Sequence, residues 1–131
     1  MARSLPHGGI EMFTELTEAA ISEQVRRFYA KARRDDLLGP VFAAAITDWE
    51  PHLRDISSFW SGALLGVRRY KGDPLGAHRK HPLAMEMFDR WLALWAETAD
   101  ETFVPELSDV LKARAGMIGR SLQAGLFFRP G

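Results

Sequence analysis

Residues 48–66, DWEPHLRDISSFWSGALLG, keep a single helical period from end to end. His52, Ile56, Phe59, Trp60, Ala63 and Leu64 fall at i, i+4, i+7, i+8, i+11 and i+12, one face of an α-helix. Thr47 or Asp48 is the natural cap. Pro51 lies in the first turn, where its missing N–H has no intrahelical partner to lose. His52 heads this otherwise apolar face, and an imidazole in that place is the first chemical oddity of the chain.

The same period extends in both directions. Upstream, Thr17 caps a helix to about Arg34, with Ile21, Val25, Phe28, Tyr29 and Ala32 on its apolar face. Asp35-Asp36-Leu37-Leu38-Gly39-Pro40 then reads as a tight connection, with the Gly-Pro pair enforcing a turn before Val41 and Phe42. Downstream, Gly66 to Pro74 reads as a loop and Leu75–Lys80 as a short helical segment stopped by Pro82. A helix over Ala84–Asp100 turns Phe88, Trp91, Leu92 and Trp95 inward. A last one over Val104–Phe127 carries the stripe Leu107, Leu111, Arg114, Ile118 and Leu122, with Val110 and Met117 alongside. No stretch alternates like a strand, so the class is all-α.

The chain has 131 residues, 47% of them hydrophobic and 26% charged, which is one globular domain over 1–131, with 1–12 as a loose N-terminal extension. Seventeen basic and 17 acidic residues cancel, which leaves no electrostatic case for nucleic acid or an anionic membrane. No run is long and apolar enough for a bilayer span, and Met1–Ile10 has no signal-peptide core, so a cytoplasmic protein is expected. Without cysteine there is no disulfide, thiolate zinc site or Cys nucleophile.

Four histidines therefore carry most of the available chemistry: His7, His52, His78 and His81. His7 lies in a Gly-rich terminal segment and is solvated. His78 and His81 stand at i, i+3, but Pro82 breaks the helix they would share, and no HExxH motif or carboxylate cluster completes a zinc site. No serine sits in a nucleophile elbow, and no glycine-rich loop has phosphate-binding spacing. A flat apolar cofactor fits better. Haem needs an aromatic slot, one imidazole for the iron, and cations or hydroxyls for its propionates. Phe28, Tyr29, Phe42, Phe59, Trp60, Phe88, Trp91 and Trp95 supply the walls, and His78 stands on a loop-held segment. The same stripes also fit an ordinary aromatic core, and periodicity does not separate the two.

The order of several blocks does. Phe28-Tyr29-Ala30-Lys31-Ala32-Arg33 and Asp36-Leu37-Leu38-Gly39-Pro40-Val41-Phe42 are followed by Trp49-Glu50-Pro51-His52 and Phe59-Trp60-Ser61-Gly62-Ala63-Leu64-Leu65-Gly66. Then come Tyr70-Lys71-Gly72-Asp73-Pro74-Leu75 with His78, and Phe88-Asp89-Arg90-Trp91-Leu92-Ala93-Leu94-Trp95. Over residues 13–128 the chain resembles a truncated haemoglobin, group III in particular. The absence of the other groups' Gly-Gly motifs agrees, since Gly8-Gly9 lies too near the terminus.

The resemblance implies a two-over-two helical sandwich, a shortened globin fold holding haem b. By position it implies His78 as proximal iron ligand, Tyr29, His52 and Trp91 as the polar distal residues, and Phe42 against the haem face. Ile56, Phe59, Trp60, Phe88 and Trp91 match the pocket wall. The segment between His78 and Trp91 is short beside the family's usual loop and contains His81-Pro82, which makes His81 the weaker competitor for the proximal role. Lys71, Arg79 and Tyr70 are the propionate candidates. Dioxygen takes on partial negative charge when held by iron, so the Tyr29 hydroxyl and the Trp91 indole N–H suit it; each could instead bond a neighbouring carbonyl. His52 could donate to ligand, swing as a gate, or bind the iron itself.

Three functions follow as expectations. The first is binding of O2, and of NO or CO, for storage, scavenging or detoxification. The second is a haem enzyme, an NO dioxygenase or peroxidase, which needs an external reductase because nothing here encodes one. The third is a cofactor-free helical interaction module.

Overall fold

Thr17 is the cap that starts the first helix: its Oγ1 accepts the Ala20 N–H at 3.1 Å, and α1 runs Glu18–Ala32. The computed structural model describes residues 12–127, so His7 and the expected loose extension, Met12 apart, lie outside the described residues. The helices that follow are α2 Gly39–Ala45, α3 Trp49–Leu65, α4 Pro74–Arg79, α5 Met85–Thr102 and α6 Pro105–Phe127. The described residues form no strand, only an isolated bridge between Phe13 and Phe103.

Two helix pairs make the body. α1 packs on α3, α5 on α6, and α1 crosses α5 to join the pairs; α4 rests on α6. Ile21, Val25, Phe28, Trp95, Phe103 and Leu111 are fully buried at the junction. Each large apolar side chain so removed from water contributes about 1.5–3 kcal/mol. Gln24 shares this face, also fully buried, with Nε2 donating to Trp95 O at 3.2 Å. Lys31 reaches Glu97 and Glu101 across the α1–α5 crossing at 2.7 and 2.8 Å. These exposed bridges add register more than stability.

Two sequence expectations are corrected. Gly39-Pro40 opens the seven-residue α2 instead of only turning the chain. Pro is harmless in a first turn, and the turn itself is made earlier by Asp35, whose Oδ2 accepts the N–H groups of Leu37 at 3.0 Å and Leu38 at 2.9 Å. Gly39 is required because a Cβ there would lie 2.8 Å from the Arg33 carbonyl oxygen. The inner face of α6 is also rotated from the expected stripe. Ser108, Leu111, Ala115 and Gly119 are buried, whereas Arg114, Val110 and Met117 are exposed. The close α5–α6 contact selects small residues, and a pattern keyed to large apolar ones points off axis. α3 ends as expected at Gly66, which takes the left-handed φ of 77°; its N–H donates to Gly62 O, and the Val67 N–H donates to Ser61 O.

Candidate functional site

The first group of site residues gathers where α1, α2 and α3 meet. Tyr29 is buried on α1, and its ring meets Phe42 at 5.3 Å, Trp49 at 5.4 Å and His52 at 5.6 Å, all edge to face. Burial pushes the phenol of Tyr29 well above its usual range, so the hydroxyl keeps its proton and is available as a donor. His52 is half-buried, one turn beyond Trp49 on α3, and their rings stand 5.6 Å apart at 87°. Its Nε2 is buried without a hydrogen-bond partner. Burial also holds this imidazole below the ordinary His range, against a small opposing pull from Asp55. A buried polar atom left unsatisfied costs about 1–3 kcal/mol unless something outside the protein meets it.

The second group is a stack of three indoles. Trp60 of α3 lies 4.4 Å from Trp95 at 18°, and Trp95 lies 5.6 Å from Trp91 at 6°, both from α5. Trp95 Nε1 donates to Leu111 O at 3.4 Å, which ties the stack to α6. Phe28 joins this group to the first, 5.0 Å from Tyr29 and 5.6 Å from Trp91. Trp60 is only 2% exposed, with one face taken by Trp95.

The third group centres on α4. Asp73 caps that helix by accepting the Gly76 N–H at 3.1 Å, and Pro74 occupies its first turn. His78 Nδ1 lies 2.6 Å from the Pro74 carbonyl oxygen. A carbonyl only accepts, so Nδ1 carries the proton and Nε2 presents a lone pair, the tautomer a metal-ligating histidine needs. Phe88 packs beside the ring at 6.3 Å. His81 follows the end of α4, its own N–H donating to His78 O.

The sequence-predicted residues thus assemble in three neighbouring groups. Ile56 is half-buried against the core, and Phe59 meets Trp60 at 5.6 Å and Tyr70 at 5.4 Å. Phe59, Tyr70 and Lys71 line an open cavity of about 610 Å³ at the end of α3; His78, Arg79 and His81 line another of about 400 Å³ between α4 and the end of α6. No three His, Asp or Glu side chains converge among the described residues. Sequence reasoning passed over Trp49, Arg33 and Gln24. Trp49 stands three residues before His52 and so shares its helix face, a signal that was present in the spacing.

A helical fold with an unsatisfied imidazole on one helix, and on another an imidazole whose second ring nitrogen is left with a lone pair, can hold a flat, metal-bearing cofactor. A model of the bacterial-like globin family matches residues 12–118. The chain is 35% identical over 120 residues to the group 3 truncated haemoglobin ctb of Campylobacter jejuni, covering 88% of this chain and 94% of that protein. It is also similar to the crystal structure of group III truncated haemoglobin from Campylobacter jejuni, with a TM-score of 0.85 over 92% of this chain and 98% of that one. The chain belongs to the bacterial-like globins, and is therefore a haem-binding protein whose ligands are diatomic gases.

Proposed function

We propose that this globin binds haem b with His78 as the protein ligand to iron, and binds dioxygen, with NO and CO as further ligands, beside Tyr29, His52 and Trp91. The observation that supports the reading is the 2.6 Å contact from His78 Nδ1 to Pro74 O, which leaves a lone pair on the other ring nitrogen for a metal. Haem supplies an iron with one open position for a diatomic gas.

The chain's own groups supply the rest. Tyr29 keeps its phenolic proton and presents it from a buried position. His52 offers the unsatisfied Nε2. Trp91 is held in plane by Trp95 and Trp60, so its N–H has a fixed direction. Donors already ordered before the ligand arrives pay no reorganisation when negative charge develops. Phe42 covers the Tyr29 ring and Phe88 the His78 ring, and Tyr70 and Lys71 at the open cavity would hold the carboxylates at the haem edge.

The test is the absorption spectrum of haem-loaded protein, ferric, ferrous and air-exposed, for the wild type and His78→Ala. A Soret band that responds reversibly to O2 and is altered in the variant is the expected result. Unaltered spectra in His78→Ala would remove His78 from the iron. Steady NO consumption with an external reductant would place turnover above carriage.

A further inference from the structure

Trp49 packs against His52 and is itself held by an exposed cation. Its indole packs on His52, Tyr29 and Phe42 at 5.6, 5.4 and 6.2 Å. The Arg33 guanidinium carbon lies 4.2 Å from the same ring's centroid, a cation–π contact. Arg33 closes the C-terminal end of α1, where its N–H donates to Tyr29 O and the next N–H, of Arg34, donates to Lys31 O. Its carbonyl is in turn crowded by Gly39 at the start of α2. The backbone carrying the cation is therefore fixed by two elements, while the Arg33 side chain lies exposed over Trp49.

We propose that Arg33 and Trp49 form a latch that sets the rate at which a diatomic ligand passes His52. They act as positioning residues and leave the bound ligand's stability unchanged. The proposal rests on the reading of His52 as a ligand-side residue. His52 is confined between the Tyr29 and Trp49 rings, and rotation toward solvent needs Trp49 to yield. Moving Trp49 outward breaks its contact with Arg33, so the guanidinium adds to the barrier. A group that acts only on a barrier changes entry and exit by one factor and leaves the equilibrium alone.

CO association after flash photolysis and CO dissociation by displacement test this on haem-loaded wild type, Arg33→Ala, Arg33→Lys, His52→Ala and the Arg33→Ala/His52→Ala double variant. The strength of an exposed cation–π contact sets the size of the effect: both rates rise about two- to fivefold in Arg33→Ala with Kd unchanged. Arg33→Lys, which keeps the cation, restores the slower rates. Loss of Arg33 adds nothing once His52 is gone. Carbethoxylation of His52 by diethyl pyrocarbonate, followed by mass spectrometry with His81 as the internal reference, speeds by the same factor in Arg33→Ala. Unchanged CO rates in Arg33→Ala, a change confined to dissociation, or the full increase in the double variant would each overturn the latch. A wild-type chain that takes up no haem would overturn the underlying haem reading, and the spectrum shows that before any rate is measured.

Discussion

The proton on His78 is placed by the Pro74 carbonyl at 2.6 Å, so the side chain needs no external group to choose its tautomer. His78→Ala is expected to keep the helical fold, because α4 contributes no fully buried residue to the core, and to lose haem faster than the wild type in a haem-transfer assay. At Tyr29 the protonated phenol is the buried donor. Tyr29→Phe removes a hydrogen bond to a charged acceptor, about 1.5–3 kcal/mol, and O2 dissociation measured by stopped flow should quicken about 10- to 100-fold. His52 gives a pH signature. Its folded pKa lies below the ordinary His range because burial disfavours the cation, so the unfolded chain takes up the proton first as pH falls. Its contribution to stability is whole above that range and is lost as pH drops through the depressed folded pKa. Denaturant unfolding at pH 7.5 and pH 5 should show His52→Phe gaining on the wild type at the lower pH, and parallel behaviour would exclude the assignment. His52 and His78 were legible because histidine is scarce and both sit in unusual places. The place of Trp49 beside His52 was legible in the spacing, but its contact with Arg33 was hidden, since a cation over a ring from another element leaves no mark in either helix's period.

At the level of the helices, Thr17 and Gly66 were readable as boundaries because each acts through its own backbone neighbourhood, whereas Asp48 holds the first position before α3 without a side-chain capping bond. α2 escaped because seven residues give too little period to register, and its Gly-Pro start resembles a turn. The α6 face was misread for another reason: close contact with α5 is made by Ser108, Ala115 and Gly119, which no hydrophobic pattern ranks highly. The α1–α2 corner is the tightest of these joints. Gly39→Ala puts a methyl 2.8 Å from a backbone carbonyl that cannot step aside. We expect a loss of about 1–3 kcal/mol, read from the denaturant midpoint, with the helix content at low denaturant unchanged. A neutral substitution would show that the corner has room the structure does not reveal.

Across the whole molecule, the closed part of the core is made by α1, α5 and α6, while α3 contributes only Trp60 and Ser61 as fully buried residues and α4 none. The family resemblance anticipated the two-over-two pairing; periodicity alone gives helices and not their partners. This uneven burial predicts where the cofactor matters for stability. Binding to the native state alone stabilises it by mass action, about 2.7 kcal/mol at one hundred times Kd. Hydrogen exchange after haem removal should therefore quicken in α3 and α4 before α1 and α5, and uniform protection would mean that haem adds nothing to the fold. The indole stack has an optical consequence. Trp60, Trp91 and Trp95 come from two helices yet lie nearly parallel, with centroids 4.4–6.3 Å apart. Transition dipoles that close mix, so the far-ultraviolet circular dichroism of this chain should carry, through the strong indole band, a coupled signal of paired opposite lobes on top of the helical one. That signal collapses to independent chromophores when α3 moves from α5, which gives the molecule a built-in gauge of its own closure.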